Sequence, residues 1–408
     1  MMNQKNLLGL AIATVAVVVV AFAVQHSRKA VSDFSDQAGP LVADLGDHVN
    51  NVSRMVLTTA NKKTAVTVAN KDGIWSVAEK GGYPADLGKL REYLLKVADA
   101  KLIEKKTAKA DRYPDLGLSD ISDPKAKGIA VEIDGLAAPV GFIAGIFNAQ
   151  GGGTYVRRIA ETQSWLATGN LIPDKEPANW LHKEIANIPS ERIASVTITH
   201  PDGTVLRVFK DKASDPHYTI ADLPKGREPS SEYAANGLAS VLADLKLDDV
   251  ASASEITVPE KVTQVRYATF DGVLVDAKAW QVGDKHYVAL SASEDRDLAE
   301  KHADAELAMQ AAEAAADKAK AAAQKSETAD AATKEDEAKP VLDPAPDREQ
   351  RIAAIGSEVE KLNSVFKGWS FVLPGYKNAE IEKSMNDLLK PLESAPPLAK
   401  SKAAKAGK

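Results

Sequence analysis

The side chains able to do chemistry are scattered in this chain. Its seven histidines stand at positions 26, 48, 182, 200, 217, 286 and 302, and no two share the close spacing of a helix-borne or strand-borne metal site. Cysteine is absent, which excludes a thiolate nucleophile, a disulfide framework and a cysteine-based metal site. Neither a Gly-x-Ser-x-Gly elbow nor a His-Glu-x-x-His helix is present. Gln150-Gly151-Gly152-Gly153-Thr154 has the look of a phosphate cradle. No Gly-Lys-Ser/Thr follows it, so it reads as a hairpin turn leading into Tyr155. Asp248-Asp249 and Asp295-Arg296-Asp297 are the tightest acidic clusters; both fall at element ends and read as solvated turn residues rather than an acid/base couple. Arg157 and Arg158 could bind an anion but read as a strand-end pair facing solvent. Trp75, Trp165, Trp180, Trp280 and Trp369 read as core rings. No catalytic, cofactor-binding or metal residue is assigned, no cofactor is expected, and the role expected is not enzymatic.

The elements that must position these residues are of two kinds. From Val52 the pattern has period two. Val52, Arg54, Val56 and Thr58 alternate with Ser53, Met55, Leu57 and Thr59, and strands over 65–68 and 73–77 follow turn signals at Asn61 and Asp72-Gly73. After Tyr83-Pro84-Ala85-Asp86 the period becomes helical: Leu87, Leu90, Leu94, Val97 and Ala98 mark one face and Asp86 can cap it, giving a helix that should lie on the sheet. Further strands are expected over 128–134, 140–147, 154–159 and 165–168.

The same grammar recurs from Ile193, which points to an internal repeat. Ile193–Thr199 aligns with Val52–Thr58, 205–210 with the second strand, and His217–Ile220 with Ile74–Val77. Leu238, Val241, Leu242 and Leu245 repeat the amphipathic helix, 265–272 echoes 128–135, and Lys285–Val288 echoes Gly153–Val156. In the first copy Trp165 follows Tyr155 by about ten residues, whereas in the second about eighty separate Tyr287 from Trp369-Ser370-Phe371. The excess, rich in Ala, Lys and Glu and broken by Pro340, Pro344 and Pro346, reads as a helical hairpin of coiled-coil character inserted at a β-hairpin tip.

The fold class expected is therefore α+β: two similar modules of antiparallel sheet with a packed helix, after an N-terminal transmembrane helix. The segments are 1–29 as membrane anchor, 30–50 as stalk, 51–190 as first module, and 191–294 with 366–394 as second. Residues 295–365 are the insertion and 395–408 a basic disordered tail. The anchor is the apolar run Leu7–Val24, interrupted by Thr14 as its one polar side chain. Its helix would be roughly 27 Å long, enough to span a bilayer's hydrocarbon core. Ala21-Phe22-Ala23 leaves cleavage after Ala23 as the alternative, which would release a soluble protein.

A net charge of −6, with Lys and Arg scattered among acids, excludes a general nucleic-acid surface. The partners expected are the lipid bilayer through residues 7–24 and proteins of the inner membrane or envelope. A single-pass inner-membrane location follows, with the bulk of the chain in a bacterial periplasm. Taken in order, Gly73-Ile74-Trp75-Ser76-Val77, Tyr83-Pro84-Ala85-Asp86, Tyr113-Pro114-Asp115-Leu116-Gly117-Leu118 and Gly153-Thr154-Tyr155-Val156-Arg157 resemble the bacterial domain-of-unknown-function family 4340 over roughly residues 50–250. The resemblance implies a membrane-anchored protein, and some members resemble auxiliary subunits of gliding-motility-type ABC transporters. It implies a partner complex rather than a reaction. The function expected is a non-catalytic accessory or scaffold of a transport or envelope complex. An envelope hydrolase, a polysaccharide-modifying enzyme or a soluble ligand-binding protein are the alternatives.

Overall fold

In the computed structural model, residues 39–327 and 344–391 are described. The run Leu7–Val24, the candidate cleavage point at Ala23 and the basic tail lie outside them. Among the described residues no helix is long and apolar enough to cross a membrane. The chain divides into two compact units at His182–Lys183.

The first unit is built on β1 (Arg54–Thr59), β2 (Lys63–Lys71), β3 (Ile74–Val77), β4 (Tyr83–Pro84), helix α1 (Leu87–Asp99), β5 (Leu102–Lys105), β6 (Ile129–Asp134), β7 (Val140–Asn148), β8 (Gly153–Arg158) and β9 (Ser164–Thr168). The nine strands form one antiparallel sheet in the order β4-β3-β2-β1-β6-β7-β8-β9-β5. Period-two alternation buries Met55 and Leu57 opposite Val68 and Val66, and opposite Ile133 and Val131. The Asp86 carboxylate accepts from the Lys89 amide at 3.0 Å and starts α1. Leu90, Tyr93, Leu94 and Val97 form its buried face. Burial pushes the pKa of the Tyr93 phenol up, and its hydroxyl donates to the Leu171 carbonyl at 3.1 Å.

A second cluster, Tyr113, Leu118, Ile121, Ala130 and Ile143, covers the other face of β6 and β7. It depends on close backbone approach. A Cβ at Gly128 would lie 2.3 Å from the Gly117 carbonyl oxygen, and one at Gly145 would lie 2.3 Å from that of Leu116.

The stalk expected over 30–50 is corrected from residue 39 onward. Pro40 bridges Lys101, the Leu41 amide donates to the Ala100 carbonyl, and the Leu102 amide donates to that of Gly39. Leu41, Val42 and Leu45 are buried. The apolar residues at 41, 42 and 45 have no strict period, which is why the pattern reads as linker.

The second unit contains β10 (Glu184–Ala186), β11 (Ile193–Thr199), β12 (Val205–Phe209), β13 (Thr219–Ile220), β14 (Leu245–Lys246), β15 (Asp249–Ser252), β16 (Thr263–Thr269), β17 (Val273–Val282) and β18 (Lys285–Glu294). Helices α2 (Arg296–Glu327) and α3 (Pro344–Phe366) follow, then β19 (Trp369–Val372) and α4 (Gly375–Ile381). Its antiparallel sheet runs β13-β12-β11-β16-β17-β18-β19-β15. This is the order β3-β2-β1-β6-β7-β8-β9-β5 of the first unit over again. Register repeats too: Ile198 faces Leu206 and Val265 as Leu57 faces Val66 and Val131, and Val288 faces Phe371 as Val156 faces Trp165. Even the entry recurs, since β10 pairs with β14 as Pro40 does with Lys101.

The repeated helix is a correction. Leu238, Val241, Leu242 and Leu245 are all buried, but only Asn236–Ala239 is α-helical. The Ser240 amide and hydroxyl both turn back to the Gly237 carbonyl, Asp244 has φ +45°, and Leu245 already belongs to β14. Gly237 and Ser240 favour tight turns over helix propagation, so the spacing survives and the helix does not.

The insertion is two helices between β18 and β19, rooted by Arg192. Its guanidinium donates to Asp271 at 3.0 and 2.7 Å and to both oxygens of Glu358 at 2.9 Å. Asn363 adds a two-way bond to the backbone of Ala292. Arg348 joins Asp304 at 2.6 Å and Glu300 at 3.4 Å, and Arg351 joins Glu306. Beyond these ties α2 continues, with every side chain from Ala308 to Asp317 exposed.

Candidate functional site

The motifs that seemed able to carry chemistry turn out to hold the fold. Asn148 Oδ1 accepts from the amides of Gln150 and Gly151 and closes the glycine-rich tip between β7 and β8. Asp249 pairs with Lys285 at 2.8 Å, and Asp295 caps α2 by accepting from the Leu298 amide. His286 meets Glu382 at 2.9 Å, and His200 contacts the Lys383 carbonyl. His26 lies outside the described residues. Among those described, no three His, Asp or Glu side chains are grouped to hold a metal ion.

The arginine pair is corrected. Arg157 is 7% exposed, donates to the carbonyls of Leu118 and Glu161, and stacks over the Tyr113 ring at 4.7 Å. Arg158 donates to the carbonyls of Leu41 and Pro40 at 2.8 Å and to the Glu161 carboxylate at 2.9 Å. A planar guanidinium can serve several carbonyls at once, so both side chains turn onto the fold instead of into solvent. The tryptophans need a similar adjustment. Trp180 and Trp280 are buried, while Trp75, Trp165 and Trp369 sit half-buried. Lys105 and Lys89 lie over the rings of Trp165 and Trp180 at 5.4 and 5.1 Å, so these rings serve as platforms for lysine as well as packing.

One concave feature of the first unit is a cleft of about 790 Å³ at the strand ends around Asp134 and Val140. One wall is the entering segment Leu41–Asp44. The other is the β6–β7 loop, Leu136-Ala137-Ala138-Pro139, with Ile159 and Ala160. Apolar residues share the lining with the acids Asp44, Glu132, Asp134 and Glu161. Arg158, the basic side chain in the lining apart from His48, is consumed by its three bonds. Asp134 is met by Arg54 at 3.5 Å, and His48 by Asn51 at 3.4 Å. Such a cleft suits an apolar body carrying positive charge. Sequence inspection had no means of finding it. Positions 44, 132, 134 and 161 share no motif, and the loop 135–139 carries no charge to draw attention.

Part of the chain is similar to a known family. Residues 75–265 match the family model described as Domain of unknown function (DUF4340), the family that the motifs resemble. The match runs from β3 of the first unit to β16 of the second and thus crosses the repeat. Within it, Tyr83 is buried, Asp86 caps α1, Tyr113 stacks with Arg157, and the Thr154 hydroxyl links the Gly169 carbonyl to the Leu171 amide. No curated protein and no solved structure matches the chain.

Proposed function

We propose that this chain, carrying the DUF4340 segment over residues 75–265, is a non-catalytic accessory or scaffold protein of a transport or envelope complex. In this reading residues 7–24 hold it in the inner membrane and both units stand in the periplasm. The observation that carries the reading is helix α2. It is tied through Arg348 and Arg351 to α3, which the Arg192 fork holds to the sheet, yet extends past Glu306 for twenty-one residues, about 30 Å of helix. A firmly rooted helix whose side chains are exposed from Ala308 to Asp317 is an element for engaging another protein. Two sheets of one topology supply further surfaces, and an ABC-type permease with its ATPase is the partner class implied by the family resemblance.

Affinity purification of the full chain from membranes in mild detergent tests this. Co-recovery of a permease or ATPase, lost on deletion of residues 308–327, is the expected result. Recovery of the protein alone would refute it. A second reading is favoured by the acid-lined cleft: a ligand-binding protein for cationic amphipathic molecules, freed by cleavage after Ala23. The N-terminal sequence of the mature protein separates the two.

A further inference from the structure

The first unit has two unlike ends. Register places Asn148, Gly153, Thr168, Lys101 and Pro40 in a single row across β7, β8, β9, β5 and the entering segment. The glycine-rich tip Gln150–Gly152 therefore projects from the same side of the sheet as Thr168 and Lys101. Phe147 and Ile146 are exposed beside that tip. So is Ile172, which follows the Gly169–Leu171 segment bound to Gly152 and Thr154.

Charge is divided between the two ends. No Asp, Glu, Lys, Arg or His occurs from Gly135 to Val156 in a chain that is 26% charged, so the tip itself is neutral. Around it stand exposed lysines. Lys127 and Lys175 line a hollow of about 580 Å³ with Thr59 and Ala60. Lys62 follows in the β1–β2 turn, and Lys101 lies in the row. The acid in that hollow, Asp174, is already bound by Lys89 and Asn179. The acidic cleft with Glu132 and Asp134 is at the opposite strand ends. A neutral tip with exposed Phe and Ile at the strand ends that also carry Lys62, Lys101, Lys127 and Lys175, with Asp120 beside Lys62, is the chemistry that settles on an anionic lipid surface: apolar groups enter the interface and ammonium groups meet headgroups.

We infer that this end of the first unit, the β7–β8 tip with Lys62, Lys101, Lys127 and Lys175, rests on the anionic headgroups of the bilayer that holds the N-terminal run. The inference rests on the reading of residues 7–24 as an uncleaved anchor. The fourteen residues 25–38 between run and unit reach at most about 50 Å when extended. That length permits many orientations, and the exposed lysines select one.

Because the chain has no cysteine, one introduced thiol reports one place. The full chain is reconstituted in nanodiscs containing phosphatidylglycerol and brominated lipid, with an environment-sensitive fluorophore on Gln150→Cys or, at the opposite end, on Ala138→Cys. The label at 150 should lose at least about half its emission and that at 138 little, because only an interfacial probe lies within reach of the bromines. The triple variant Lys62→Glu/Lys127→Glu/Lys175→Glu, all at exposed positions, should restore most of the emission at 150. Failure of the protein to enter the discs overturns the anchor reading together with this one. Entry with equal quenching at 150 and 138 overturns this one alone, and quenching that survives the triple variant overturns the assignment to anionic headgroups.

Discussion

Replacing Arg192 by Met should loosen the root of the helical insertion while keeping the aliphatic stem. The guanidinium holds Asp271 through two bonds and Glu358 through two more. Side-chain exposures of 31% for Arg192, 18% for Asp271 and 32% for Glu358 place the fork between two regimes. Exposed pairs are worth about 0–1 kcal/mol, and breaking a buried pair costs about 3–5 kcal/mol. The two forks together should therefore contribute about 2 kcal/mol, part of it from leaving two carboxylates face to face. At about 1.4 kcal/mol per factor of ten, this is roughly a 30-fold rise in the opening of α3. Hydrogen exchange of peptides covering 352–366 in the full-length protein reads that opening directly. Glu358→Gln alone should cost about 1 kcal/mol, and combining it with Arg192→Met should cost less than the sum, because both remove the same contact. If exchange over 352–366 rises less than about threefold, within the ordinary scatter of surface changes, Asn363 and apolar packing root the insertion and the fork is incidental.

Three further outcomes are expected. Gly128→Ala places a Cβ 2.3 Å from the Gly117 oxygen and 2.7 Å from Ile143 Cγ2; it should cost about 1–3 kcal/mol by overpacking, seen as faster exchange across β6 and β7, and wild-type protection would refute it. Arg157→Lys retains charge but loses the fork onto the Leu118 carbonyl and the stack on Tyr113, so exchange near 113–121 should rise about tenfold, and a neutral result would mean that charge alone matters. Burial pushes the Tyr83 phenol up to about 12. Its stabilising contribution is complete below the unfolded value of about 10 and is lost as pH rises toward about 12, for a total of about 2–3 kcal/mol. Alkaline unfolding with phenolate absorbance should show this for the wild type, and Tyr83→Phe should be less sensitive over that window.

Legibility followed the range of the physics. β1, β2, β6, β7 and β8 were readable because a half-buried strand writes its two faces into alternate residues, and α1 because Asp86 and the spacing of Leu90, Leu94 and Val97 act within a few turns. The repeat was readable because one grammar is spelled twice, down to Tyr155 and Tyr287 before matched β9 and β19. By contrast β5 and β15, short edge strands, have too few residues to alternate. Leu238–Leu245 kept a helix's spacing on a run of turns, since burial of four side chains constrains where they point and not how the backbone carries them.

The sequence by itself determined most of the longer strands, the doubled plan, the helical insertion and the want of a thiol, since each depends on neighbours along the chain or on composition. Tertiary structure alone decided that residues 39–50 belong to the fold, that Arg157 and Arg158 turn inward, and that Asp44, Glu132, Asp134 and Glu161 line one cleft while Lys62, Lys101, Lys127 and Lys175 gather at the other end. Those groupings join positions up to more than a hundred residues apart, brought together by strand register, and register follows from the sheet as a whole.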